Sequence, residues 1–138
     1  MSRMDPNEAP PPSLGAERRR RRSDDPITAL HYQLSVARSE GKLEALVLVD
    51  DRGCLVAGAG SWPVCEELAA YAPLLAEPGL PTTAAVGTRI ADLSREVLVS
   101  TLPLGAAEAL LAVRGGGDDR SAFVARAAAG CRRILRAA

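Results

Sequence analysis

The chain has 138 residues, of which 47% are hydrophobic, enough for one domain with a core of ordinary proportions. Lys plus Arg equals Asp plus Glu at 17 each, so no global basic field draws the molecule to nucleic acid or anionic lipid, and any such binding has to be local. Cys54, Cys65 and Cys131 form no C-x-x-C pair, which speaks against a disulfide framework or a zinc site; they read as small buried apolar residues in a reducing compartment. No apolar stretch approaches the roughly 18 residues of a membrane span, and no apolar segment of an export signal follows the N-terminal arginines. The expected location is the cytoplasm.

Residues 1–23 hold Pro6, Pro10, Pro11 and Pro12, the run Arg18 to Arg22 and almost nothing apolar, the composition of a disordered tail. A folded domain is expected over residues 24–138. Asp24-Asp25-Pro26 supplies a cap and a first-turn proline for a helix whose apolar residues Ile27, Leu30, Leu34 and Ala37 recur at helical spacing, with Gly41 as the stop. Residues 43–60 form two apolar runs around Asp50-Asp51-Arg52-Gly53, a β-hairpin. Its first strand is apolar on both faces, with Ala45, Val47 and Val49 opposite Leu46 and Leu48. Such a strand needs helices on both sides of the sheet.

Ser61 and Pro63 open a second helix. Cys65, Leu68, Ala72 and Leu75 make one stripe on it, and Val64, Tyr71 and Leu74 a second, an arc wider than one sheet contact needs. Glu66, Ala70, Pro73 and Glu77 form its most polar face, and Pro73 is expected to kink or end it. After a Pro/Gly-rich loop, Val86 to Leu93 reads as an edge strand broken up by Thr88, Arg89 and Asp92. Val97 to Leu102 and Glu108 to Val113, joined through Gly105, read as a second hairpin. Asp118 and Asp119 cap a last helix in which Phe123, Ala127, Cys131 and Ile134 share a face and Arg132, Arg133 and Arg136 complement the dipole.

The order α-β-β-α-β-β-β-α resembles the roadblock family, the roadblock-type dynein light chains and their bacterial MglB-like relatives. ALVLVDDRGCLVAGAG followed by PVCEELAAYAPLLAE is similar to the family's first hairpin and long second helix. Glu108 to Val113, a glycine-rich gap and Asp118-Asp119-Arg120-Ser121 are similar to its last strand and helix start. The likeness covers about residues 25–138. It implies an α/β (α+β), profilin-like fold: a five-stranded antiparallel sheet with the first and last helices on one face and the second helix on the other. It also implies dimerisation, with itself or a paralogous roadblock protein, through the second helix and the edge strand after it.

Candidate chemistry is sparse. His31 is the only histidine and no nucleophile motif accompanies it, so it reads as a partly exposed helix residue. Gly58-Ala59-Gly60-Ser61-Trp62-Pro63 joins a strand to a helix, but Pro63 replaces the third glycine of a dinucleotide loop and no lysine follows, which favours a structural turn. Gly115-Gly116-Gly117 reads as a flexible connector. The pairs Asp50-Asp51 and Glu66-Glu67 point apart and lack a third ligand. No cofactor or metal is expected. The resemblance implies a non-enzymatic module, a scaffold or GTPase-activating partner of a Ras-like small GTPase, with no specific nucleic acid and no membrane span. Trp62, Glu67, Tyr71 and Leu74 are the candidate partner interface. The alternative is a GAF- or profilin-like sensory domain that binds a small ligand.

Overall fold

The computed structural model describes residues 25–77 and 82–137, so the expected N-terminal tail lies outside the described residues. The elements in chain order are α1 Pro26–Gly41, β1 Leu43–Val49, β2 Leu55–Ala59, α2 Trp62–Ala76, α3 Ala84–Leu93, β3 Val97–Leu104, β4 Ala107–Gly115 and α4 Arg120–Ala137. The strands form one antiparallel sheet in the order β2-β1-β4-β3.

Local chemistry explains most boundaries. Asp25 accepts hydrogen bonds from Thr28 N at 3.3 Å and Thr28 Oγ1 at 2.6 Å, capping α1 just ahead of Pro26. At the other end the left-handed residue is Lys42, with φ 53°, and Gly41 is still helical. Gly41 is needed for its size: a Cβ there would sit 2.9 Å from Phe123 Cγ. In the first hairpin Asp50 Oδ1 accepts from Arg52 N and Cys54 N, both at 2.9 Å, and Gly53 closes the turn at φ 85°. Those backbone donors hold the Asp50 carboxyl below its ordinary range.

Both faces of β1 are buried, as its two-sided apolar pattern requires. Leu46 and Leu48 join Leu111, Val113, Leu102 and the buried stripes of α1 and α4 in one core. Ala45, Val47 and Val49 face α2, packing with Cys65, Leu68, Ala69 and Ala72 in a second. The first and last helices therefore share one face of the sheet and α2 occupies the other. The buried stripe of α4 is Val124, Ala127, Gly130 and Cys131, with Phe123 and Ile134 half-buried at its margin.

Two expectations are corrected, and a third, that Pro73 kinks or ends α2, is narrowed. Val86 to Leu93 is not an edge strand: it lies in α3, and the described sheet has four strands where five were expected. The Thr83 side chain accepts from Val86 N at 3.3 Å, and Val86, Ile90 and Leu93 stand four and three residues apart, a helical repeat that outweighs the β-branched residues. β3 is therefore the sheet's free edge on that side. Pro73 does not end α2, which runs one turn further to Ala76 with Glu77 N donating to Pro73 O at 3.1 Å. Cys54 is exposed, whereas Cys65 and Cys131 are buried.

Candidate partner interface

The outer side of α2 carries three of the four candidate residues. At 3.6 residues per turn, Glu67, Tyr71 and Leu74 fall within one sector of the helix, flanked by Val64, while Trp62 stands roughly half a turn away from Tyr71. The structure brings Glu67, Tyr71 and Leu74 together and leaves Trp62 at the helix start, 56% exposed. Val64, Tyr71 and Leu74 are half-buried, the first two packed against the margin of the α2-side core. Together they form a half-buried apolar strip on α2; on the β3 edge Thr101 and Pro103 are exposed, and Pro103 has no N–H to offer a neighbouring strand.

Glu67 is not an unengaged interface acid. Arg89 of α3 donates to it through Nε at 2.8 Å and Nη2 at 2.7 Å, a two-pronged pair, and Arg114 Nη1 of β4 lies 3.7 Å away. The Arg89 hydrogen bonds hold the Glu67 carboxyl below the usual carboxylate range. Arg114, only 19% exposed in its side chain, also pairs with Glu44 at 3.3 Å and Glu96 at 3.1 Å. This network ties α2, α3 and the sheet together. Sequence reasoning missed Arg89 and Arg114 as partners of Glu67, because only the tertiary fold brings them to it.

The remaining candidates have structural partners. His31 Nδ1 lies 3.0 Å from Gly58 O and 3.3 Å from Gly58 N, fastening α1 to β2. The turn before α2 takes Gly60 to φ 126°, with a would-be Cβ 2.9 Å from Ala45 Cβ, so close backbone approach accounts for this glycine. The glycine run is tied at its start, where Arg120 Nη1 donates to Glu96 O at 2.7 Å and to the O of Gly115, the last residue of β4, at 3.2 Å. Burial pushes the Cys65 thiol up and the Cys131 thiol up to about 11, which keeps both as unreactive thiols. Among the described residues no group of three His, Cys, Asp or Glu side chains is arranged to hold a metal ion, and no helix is long and apolar enough to cross a membrane.

A four-stranded antiparallel sheet backed by two helices on one face, with a long helix and a shorter one on the other, has a roadblock/MglB-like fold. Myxococcus xanthus MglB superposes with a TM-score of 0.55 at 14% identity, covering 81% of this chain and 91% of that one. The gliding protein MglB of Thermus thermophilus gives 0.54 at 19% identity over 83% and 93%. A solved structure of MglB in a tetrameric arrangement gives 0.55 at 18% identity, again over 83% and 93%. Compared by sequence, the chain matches no family model and no curated protein.

Proposed function

We propose that the chain is a dimerising roadblock-type module that binds or regulates a Ras-like small GTPase, as scaffold or activating partner, without a catalytic group of its own. The observation that carries this reading is the half-buried apolar strip of Val64, Tyr71 and Leu74 on α2, over a sheet whose β3 edge pairs with no further described strand. Partly exposed apolar surface and an unpaired strand edge both call for cover, and a second copy could supply it. Pairing two α2 helices would build a broad platform for the GTPase, and the MglB described in a tetrameric arrangement supports self-association of such folds. An activator of this kind would act by ordering the GTPase's own catalytic groups, which asks of this chain shape rather than a nucleophile or base.

The interface residues in this proposal are Tyr71 and Leu74, with Trp62 at the rim and Glu67 as a buttress beneath. The test is the molar mass of the full chain alone and with a candidate Ras-like GTPase loaded with GDP or a GTP analogue. A dimer that gains mass with one nucleotide state supports the proposal. A strict monomer that binds the GTPase in neither state overturns it.

A further inference from the structure

The neutral total charge conceals a strong sorting of charges. α4 holds Arg120, Arg126, Arg132, Arg133 and Arg136 and no acid, and the one acid within α1 is Glu40, with Asp25 ahead of it engaged as the helix cap. The two helices pack antiparallel: a Cβ on Gly41 would meet Phe123, one on Gly130 would meet Gln33, and Arg126 pairs with Glu40 at 3.2 Å. Arg133 follows Arg126 by seven residues, two helical turns, so it stands on the same border of α4 with α1. There it lies beside the first turns of α1, about 10 Å of helix away from Glu40. Arg133 and Arg136, three residues apart and exposed, have no carboxylate partner among the described residues.

At this end a mainly apolar groove of about 460 Å³ opens between the helices, lined by Thr28, Ala29, Tyr32, Gln33 and Ile134. Its volume falls in the range of roughly 300–1,000 Å³ usual for binding clefts. Tyr32 is 72% exposed, while Ala29, Gln33 and Ile134 are half-buried. Arg133, next to Ile134 and on the α1 side of α4, gives the groove a basic rim, and Arg136 continues that rim one turn on. The groove is thus apolar within and positively charged along one side, with no carboxylate of its own among its lining residues.

We propose that this groove takes an acidic amphipathic helix of a partner protein, its apolar side chains against Ala29, Tyr32 and Ile134 and its carboxylates on Arg133 and Arg136. A helix laid in a groove presents apolar anchors at i, i+3 and i+4, with its charges to the flank, which matches an apolar floor and a rim charged on one side. The planar guanidinium pairs with a carboxylate through two hydrogen bonds, so the rim selects acids as well as attracting them. Two unpartnered arginines on this face are too few for an anionic membrane, which is recognised by clusters of about four to eight basic residues. A flat headgroup layer would also meet Tyr32 and leave the seam between the helices unfilled. A second copy is disfavoured because a symmetric contact would set the same arginines against one another. The α2 face lies across the sheet, so the groove is a site distinct from the proposed GTPase platform and open at the same time.

The experiment is selection of helical peptides from a randomised display library on the full chain, followed by fluorescence anisotropy with a selected peptide. The selected sequences should carry apolar residues at i and i+4 and Asp or Glu along one flank. The double substitution Arg133→Gln and Arg136→Gln should weaken binding roughly threefold for each arginine removed, the scale of an exposed ion pair. Tyr32→Ser should weaken it about tenfold, as loss of an aromatic anchor does. Arg52→Gln, which removes an exposed charge from the first hairpin, should leave it unchanged. All four side chains are exposed, so unchanged circular dichroism would show the variants folded. A selection that returns no acidic peptides, equal binding by the groove variants and the wild type, or an equal loss with Arg52→Gln would each overturn the proposal. So would sedimentation with phosphatidylserine vesicles that depends on Arg133 and Arg136 in a chain that binds no peptide.

Discussion

The two faces of the sheet are finished to different degrees. Against Leu46, Leu48, Leu111 and Val113 lie two long helices that touch closely enough for Gly130 to admit the Gln33 side chain, and the core between them is closed. On the other face α2 buries mostly small residues, Cys65, Ala69 and Ala72 with Leu68. Its neighbour α3 buries only Leu93 and is pinned by the Glu67–Arg89 pair. One face spends its apolar surface on stability. The other leaves a strip of it half-buried, the feature on which the proposed partner surface rests.

Substitutions should separate the two. Leu48→Ala, deep under α1 and α4, is expected to cost about 2–5 kcal/mol in denaturant unfolding, because a buried leucine leaves a cavity that close-packed helices cannot fill. A loss under about 1 kcal/mol would mean this face is looser than described. Leu74→Ser, on the half-buried strip, is expected to cost less than about 1 kcal/mol, the usual range away from core features. The contrast between the two leucines is the comparison in its simplest form.

Smaller effects probe the α2–α3 tether. Glu67 has a carboxyl pKa lowered in the folded chain, so its contribution is fully present above the ordinary value of 4.5 and is lost as pH falls below that and through the lowered value. Amide exchange in α3, corrected for intrinsic rates, should speed up in that acid window, and Glu67→Gln should produce the same loosening at neutral pH. Equal protection in both proteins would show that the pair does not hold α3. The smallest effect needs no mutation: Cys54 should react with a thiol reagent in the folded protein while Cys65 and Cys131 do not until it unfolds.

How far these regions could be read in the sequence follows the range of the forces that make them. The first hairpin was readable because Asp50 and Gly53 act within five residues, and β1 because covering both faces demands an uninterrupted apolar run. α3 was misread, although the repeat Val86, Ile90, Leu93 and the Thr83 cap were present; Thr88 and Arg89 looked like strand interruptions until their helical partners, Ala84 O and Glu67, were in place. The candidate site was half readable. Tyr71 and Leu74 follow from the width of the apolar arc, whereas the engagement of Glu67 by Arg89, 22 residues away, arises only on folding. Trp62 joins them as an aromatic at the start of the same helix, a residue type enriched at interfaces, but helical periodicity places it on another side.

The claim that the unfinished face is a dimer and GTPase platform is tested most directly by light scattering on the wild type and a Leu74→Arg variant, each with and without a Ras-like GTPase. The account predicts a dimeric wild type that takes up the GTPase, and a variant of unchanged thermal stability that is monomeric and takes up none. A monomeric wild type, or a variant that still dimerises and binds as the wild type does, would contradict it.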